Sequence, residues 1–197
     1  MGNNKTWQDC LRETQWLTSI GPDYIALAFQ FAHEAAPNAK LYYNDYNLNE
    51  TSKAKIAHAM VSELRAAGVP IDGIGMQGHY DIKLKTATVE KSLELFSSIE
   101  GIEIAVTELD IAMTGGGLDS EAVFKFMQSE QARLYAELFQ IYKAHSDKIV
   151  RVTFWGYRDD ASWRKEYLPL LFTSELEPKT SFYAVAYPER WLEEEVN

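Results

Sequence analysis

Cysteine and long apolar segments are nearly missing from this sequence. Of its 197 residues only Cys10 is a cysteine, which excludes an intrachain disulfide and a metal site made of several thiolates. No run of about 18 apolar residues occurs, so we predict no membrane span and no membrane partner. The first residues also lack the apolar core of a signal peptide, so the protein is either intracellular or has had a leader removed.

Basic residues are also few. Lys and Arg total 19 against 29 Asp and Glu, a formal net charge of −10. We therefore expect no nucleic-acid partner, because binding phosphates requires a basic surface. Neutral ligands such as sugars remain open. The hydrophobic fraction of 46% is enough to bury a core, and the aromatic fraction of 13% suits stacking on ligands, although packing explains most of these rings.

Short apolar runs alternate with helical patterns along the chain. Four runs are nearly continuous, as in buried parallel strands, and they lie at 40–46, 73–79, 103–109 and 150–155. Apolar residues at helical spacing predict one helix before the first run and one after each run, at 22–32, 56–64, 89–96, 122–145 and 181–186. We interpret 1–20 as a loop that leads into the first helix, and 1–197 as a single domain fragment.

The order of these elements predicts an α/β fold with a parallel sheet and right-handed crossovers. A doubly wound sheet usually carries a glycine-rich loop after its first strand, but residues 44–47 contain no glycine. A (β/α)8 TIM barrel fits better, although a complete barrel has eight strands and about 250 residues. With four strands, the chain corresponds to a half-barrel. We expect its uncovered inner face and open edges to be prone to aggregation unless something pairs with them.

The carboxyl end of every predicted strand is polar or aromatic, which favours a site at that rim. At the third end, Glu108 and Asp110 stand two residues apart, so their side chains leave the strand on one face. His79, at the end of the preceding strand, is then able to lie between them and donate to both. Such a histidine would keep Glu108 oriented and ionised, as a nucleophile or base requires. Two alternatives stay open: an inert salt bridge, and a metal site of one histidine and two carboxylates.

The fourth strand end predicts a sugar-binding surface. Trp155 and Trp163 flank a polar loop at 156–162. An indole face stacks well on the C–H face of a pyranose, and clefts with aromatic walls and few polar groups are typical of ligand sites. Taken singly, Trp163 fits equally well as a residue packed beneath the loop.

Seven short segments, at the strand ends and in the closing part of the chain, carry a family pattern. They are LYYNDYN at 41–47, GIGMQGH at 73–79, VTELD at 106–110, FWG at 154–156, SW at 162–163, LPLLF at 168–172 and PK at 178–179. In this order they resemble the endo-β-1,4-xylanases of glycoside hydrolase family 10. The resemblance implies a (β/α)8 barrel in which this chain supplies strands five to eight. It also implies retaining hydrolysis of xylan or xylo-oligosaccharides, without cofactor or metal.

The resemblance implies roles for single residues as well. Glu108 resembles the nucleophile that forms the glycosyl-enzyme, with His79 bonded to it and Asp110 behind. The residues that resemble contacts to sugars around the scissile bond are Asn44, Tyr46, Gln77, Trp155 and Trp163. An extracellular or periplasmic location is implied for the parent protein.

The sequence departs from the family at the general acid/base. That residue is a Glu in a Trp-Asp-x-x-Asn-Glu motif after the fourth strand, and this chain contains no such motif. Neither Glu13 nor Glu50 matches its position. We therefore expect a complementary N-terminal half-barrel, or a second copy of the chain, as a partner. Two other functions remain open: a non-catalytic carbohydrate-binding half-barrel, and an unrelated barrel hydrolase that uses Glu108 as a base.

Overall fold

The computed structural model describes residues 5–116 and 120–194, which form a parallel sheet and a set of α-helices. The strands are β1 Tyr42–Asp45, β2 Gly73–Met76, β3 His79–Asp81, β4 Glu103–Ala112 and β5 Ile149–Phe154. The helices are α1 Gln15–Ile20, α2 Tyr24–Ala35, α3 Thr51–Ala66, α4 Thr86–Ser97, α5 Glu121–Ala144, α6 Thr180–Ala186 and α7 Pro188–Glu194. No helix in the described ranges is long and apolar enough to cross a membrane.

Four of the described strands, β1, β2, β4 and β5, follow one another across the sheet in the order in which they occur in the chain. β1 pairs with β2, β2 with β4 and β4 with β5, all in parallel, while β3 pairs with the far end of β4. A doubly wound sheet instead reverses its strand order at a switch point. The sequential order therefore confirms the barrel type of winding, with β1 and β5 as open edges among the described strands.

The second predicted strand is divided in two. β2 ends at Met76, the chain turns at Gly78 with φ of 82°, and β3 resumes beside the end of β4. A Cβ added at Gly78 would lie 3.1 Å from the Val106 side chain, so both the positive φ and the close approach favour glycine. This turn brings His79 into register with Asp110.

Three further differences from the predicted elements concern the end of one strand and two short helices. β4 continues to Ala112, beyond its predicted end at 109, so Asp110 as well as Glu108 lies within the strand. In the segment predicted as a loop, Gln15–Ile20 form a short helix, and the Thr14 hydroxyl caps it by accepting the Leu17 N–H at 3.2 Å. Helix α7 was not predicted, because its pattern is too short to distinguish from a polar tail.

The hydrophobic core lies between one face of the sheet and the helices. Ile74, Ile104 and Val106 are buried on that face. Their cluster includes side chains from α3, α4 and α5, among them Val61, Leu64, Val89, Leu93, Phe96, Leu134 and Leu138. The core therefore covers one face of the sheet, and the opposite face and the strand ends stay available for other contacts.

The opposite face of the sheet is polar. Because neighbouring residues alternate between the faces of a strand, Tyr42 and Asn44 point away from the core. The Tyr42 hydroxyl donates to Glu103 at 2.5 Å, Asn44 accepts from the Thr107 hydroxyl at 2.7 Å, and Arg151 is exposed. The inner face of the sheet therefore carries polar and charged side chains, and the aggregation expected from its open edges stays a prediction.

Candidate active site

Four chain segments meet at the carboxyl edge of the sheet and carry the predicted site residues. Asn44 lies in β1, His79 begins β3, Glu108 and Asp110 lie in β4, and Trp163 lies in the loop after β5. Parallel strands end at the same edge, so side chains that are far apart in sequence meet there. Hydrogen bonds join all five of these residues into one network.

His79 lies between the two carboxylates. Its Nδ1 is 2.9 Å from Asp110 Oδ2, and its Nε2 is 3.1 Å from Glu108 Oε2. The side chains of His79 and Glu108 are 13% and 15% exposed, whereas that of Asp110 is fully buried. This is the arrangement that the spacing in the sequence predicted; the catalytic roles of the three residues stay a prediction.

The partners of His79 determine its protonation. An ionised carboxylate only accepts hydrogen bonds, so both ring nitrogens carry a hydrogen when both carboxylates are charged. Burial lowers the pKa of His79, but the hydrogen bonds and negative charges of Asp110 and Glu108 outweigh it, so that this pKa is raised above its ordinary value. The site therefore favours the imidazolium form.

Asp110 is a buried carboxylate surrounded by donors. Besides His79, Trp163 donates its indole N–H to Oδ2 at 2.9 Å, and the Arg164 guanidinium donates to Oδ1 at 2.8 Å. Arg164 also donates to the backbone carbonyl of Tyr80 at 2.8 Å. Burying a carboxylate is costly unless it is both paired and hydrogen-bonded, and these contacts supply both conditions.

The second oxygen of Glu108 is held from the other side. The Asn44 amide donates to Glu108 Oε1 at 3.0 Å, and the Thr107 hydroxyl fixes that amide by donating to its oxygen at 2.7 Å. A Cβ added at Gly75 would lie 2.5 Å from the same Asn44 oxygen, so this orientation requires glycine on the neighbouring strand. Both oxygens of the Glu108 carboxylate are thus fixed, while part of the side chain faces solvent.

Three aromatic side chains line the rim beside the carboxylates. The exposed fractions are 46% for Tyr46, 48% for Trp155 and 63% for Trp163. Trp163 contacts His79 edge to face, with ring centroids 5.0 Å apart. Trp163 is therefore a surface residue and not one packed beneath the loop, and its exposed face is available for stacking.

A lysine positions Tyr46. Lys53 Nζ lies 3.5 Å from the centroid of the Tyr46 ring and 2.9 Å from the Asp45 carboxylate. Asp45 also accepts from the Tyr43 hydroxyl at 2.7 Å. The cation–π contact and the ion pair together restrict the Tyr46 ring to the edge of the site.

Three predicted residues share the rim without joining the hydrogen-bonded network. Among the described contacts, the side chains of Tyr46, Gln77 and Trp155 form no hydrogen bond to Glu108 or Asp110. Gln77 contributes through its backbone, since its carbonyl accepts the Glu108 N–H at 2.8 Å. The backbone N–H of Trp155 donates to the Leu109 carbonyl at 3.1 Å and so anchors the end of β5 against β4.

Two residues that shape the site were missed in the sequence. Arg164 and Lys53 each pair with a carboxylate beside the rim. A weak signal existed for Arg164, because a buried carboxylate requires a cation and Arg164 directly follows Trp163. The sequence does not show, however, which of its 19 lysines and arginines reaches Asp110.

The arrangement does not match the metal alternative. Each nitrogen of His79 faces a carboxylate oxygen at hydrogen-bond distance, so the ring links the two carboxylates and does not share an open centre with them. Within residues 5–116 and 120–194, no group of three or more His, Cys, Asp and Glu side chains is placed to hold a metal ion. The geometry is that of a chain of hydrogen bonds leading to one partly exposed carboxylate.

Known proteins share this sequence over most of its length. Residues 2–188 match the model of the family described as glycosyl hydrolase family 10. Endo-1,4-beta-xylanase A of Thermoanaerobacterium saccharolyticum is 46% identical over 182 residues, which are 91% of this chain and 15% of that protein. The endo-1,4-beta-xylanase of Geobacillus stearothermophilus is 38% identical over 187 residues, which are 89% of this chain and 56% of that protein.

Solved structures share the fold. TsXylA, an intracellular xylanase from Thermoanaerobacterium saccharolyticum solved as a variant with xylotriose, is similar with a TM-score of 0.82 at 45% identity. The similarity covers 89% of this chain and 52% of that chain, so this chain spans about half the length of that structure. The α/β sheet is accordingly a TIM half-barrel, consistent with the C-terminal half. Because the family model matches nearly the whole chain, this protein belongs to glycosyl hydrolase family 10.

Proposed function

We propose that this chain is the C-terminal half of the catalytic barrel of an endo-1,4-β-xylanase, with Glu108 as its nucleophile. The observation that carries the proposal is the Glu108 carboxylate, whose oxygens are bonded to His79 and Asn44 at the partly exposed rim. The names of the relatives support xylan as substrate, and the complex of one of them with xylotriose supports xylo-oligosaccharides.

The proposed reaction proceeds in two steps with retention of configuration. A Glu108 oxygen attacks the anomeric carbon, a C–O bond to the sugar forms, and the glycosidic C–O bond breaks as a proton is delivered to the leaving oxygen. Water then cleaves the glycosyl-enzyme and returns the carboxylate. The hydrogen bond from His79 keeps the Glu108 carboxylate oriented before attack.

The proton donor lies outside this chain in this proposal. In retaining enzymes the two carboxyl groups are about 5–5.5 Å apart. Asp110, the nearest carboxylate on the strand, is fully buried and bonded to three donors, which makes it unsuited to protonate a leaving group. We propose that a complementary N-terminal half-barrel supplies the acid and pairs with the open edges of β1 and β5.

The test uses 2,4-dinitrophenyl 2-deoxy-2-fluoro-β-xylobioside, because dinitrophenolate leaves without protonation and so makes the missing acid irrelevant. Labelling is measured by mass spectrometry of the intact chain and of its peptides. We expect one label, located on Glu108, and none in the variant Glu108→Gln. Glu103→Gln is the matched control, since Glu103 is a carboxylate on the same strand, and it should label like the wild type.

Other outcomes separate the remaining functions. The exposed rings of Tyr46, Trp155 and Trp163 favour a carbohydrate-binding half-barrel as the second candidate. Binding of xylohexaose without any label, by the chain alone and with its N-terminal half, would favour that candidate. Labelling of another carboxylate, or neither labelling nor binding, would refute the proposal.

We also propose that the parent protein is exported, as the family resemblance implies. The relative TsXylA is described as intracellular, so the location of this protein has to be measured directly. Fractionation of the source cells with an antibody against this chain tests the proposal, and signal confined to the cytoplasm would refute it.

A further inference from the structure

One carboxylate oxygen connects the histidine of the nucleophile with an exposed indole. His79 Nδ1 and Trp163 Nε1 both lie 2.9 Å from Asp110 Oδ2. The other oxygen, Oδ1, accepts from Arg164 at 2.8 Å. Any change in the charge or position of Asp110 therefore affects His79 and Trp163 together.

We propose that Arg164 is a positioning residue for the reaction. Its guanidinium holds Asp110 in place, and through Asp110 it fixes His79 as a donor to Glu108 and orients the Trp163 indole. The inference rests on the proposed role of Glu108, but it concerns a residue that does not touch the reacting carboxylate.

Arg164 is built into the site and is not a loose surface charge. Its side chain is only 18% exposed. The nitrogen that bonds to Asp110 also donates to the carbonyl of Tyr80, a buried residue in the middle of β3. The guanidinium thus bridges β3 and β4 beside the carboxylate, where low exposure leaves little solvent to screen its charge.

The charges around this cluster predict the effect of removing Arg164. The groups facing Asp110 are His79 from β3, Arg164 from the loop after β5, Glu108 on its own strand, and the neutral hydroxyl of Tyr135 from α5. With His79 protonated, the positive and negative charges balance. Without Arg164 the cluster is one charge more negative and holds a proton more tightly.

The test measures protonation of His79 in the full chain and does not require catalysis. The chain has four histidines, so imidazole ¹⁵N spectra are simple, and His79→Gln assigns the resonance of interest. We expect Arg164→Met to raise the pKa of His79 by about 1 unit. Arg164→Lys keeps the charge and should leave the titration near that of the wild type.

Arg133→Met is the matched control for the loss of one cation. Arg133 lies on α5 and pairs there with Glu130 and Glu137, so its removal should not move the His79 titration. Arg164→Gln provides a second neutral variant that retains a donor for the Tyr80 carbonyl. If Arg164→Met does not fold, Arg164→Gln must show the same rise.

A second readout reports on the indole. Loss of Arg164 should speed hydrogen exchange of the Trp163 Nε1–H, because the acceptor of that bond is no longer fixed. An unchanged or lowered His79 pKa in a folded neutral variant would overturn the inference. Its failure is distinguishable from failure of the proposed function, since labelling of Glu108 is measured separately and on the wild type.

Discussion

Replacing Lys179 by methionine is expected to destabilise the protein strongly, because it leaves a buried carboxylate without its cation. Lys179 and Asp159 are 4% and 5% exposed, and their charged atoms are 2.9 Å apart. Lys179 also donates to the Leu168 carbonyl at 2.7 Å, and Asp159 accepts from the Leu170 N–H at 2.8 Å. This pair ties the closing segment of the chain to the loop that carries Trp163.

The magnitude follows from the burial of the pair. Burial raises the pKa of Asp159 and lowers that of Lys179, in spite of their mutual attraction. Removing one partner of a buried ion pair costs about 3–5 kcal/mol, which we expect for K179M and for D159N in the free energy of unfolding. The double variant D159N/K179M should cost only about 1–3 kcal/mol, mainly for the Leu168 carbonyl that has lost its donor.

The free energies of unfolding are measured by urea denaturation of the wild type, both single variants and the double variant, which together form a double-mutant cycle. K143M is the matched control, because Lys143 forms an exposed salt bridge with Glu189, and its loss should leave the free energy of unfolding nearly unchanged. The reasoning would be refuted if the cost of the double variant equalled the sum of the costs of D159N and K179M to within about 0.5 kcal/mol, because the two side chains would then act independently. A K179M chain as stable as K143M would also refute it.

Two further predictions concern the site itself. The raised pKa of His79 means that its charged form contributes stability that is complete below its ordinary value of 6.5 and lost as the pH rises through the folded value. Urea midpoints should therefore fall more steeply for the wild type than for H79Q as the pH rises above the ordinary value of 6.5, and parallel curves would contradict this. G75A should push the Asn44 oxygen away from a methyl that would otherwise lie 2.5 Å from it, and so slow labelling of Glu108 by about 10-fold. N44A should slow labelling as much as the double variant G75A/N44A, because the added methyl then has no Asn44 oxygen to displace. Labelling of G75A at the wild-type rate would show that Asn44 does not orient Glu108.

The half-barrel itself was predictable from sequence because its signal is local and repeated. Each of the four apolar runs is bounded by a helical pattern, and a parallel sheet needs such crossovers. The break in the second strand was not predicted, because the sequence does not show which φ Gly78 adopts within the segment 73–79. It arises from the positive φ of Gly78 and from pairing of His79 with the end of β4.

The polar character of the inner face shows the limit of reasoning from strand position alone. A near-continuous apolar strand was expected to be apolar on both faces. The residues that face away from the core are instead Tyr42, Asn44, Glu103 and Thr107, and their side chains pair between β1 and β4, across the glycines of β2. Their polarity is visible in the sequence, but their partners depend on strand register.

The sequence by itself determined the winding of the sheet, the edge at which polar groups collect, and the closeness of Glu108, Asp110 and His79. Those features depend on alternation along a strand and on the shared direction of parallel strands, which are properties of local backbone geometry. Only the tertiary structure decided that Arg164 compensates Asp110, that Asn44 holds the second oxygen of Glu108, and that Lys53 restrains Tyr46. Each of these contacts joins side chains from separate loops and strands, and long side chains reach partners that depend on packing and not on spacing along the chain.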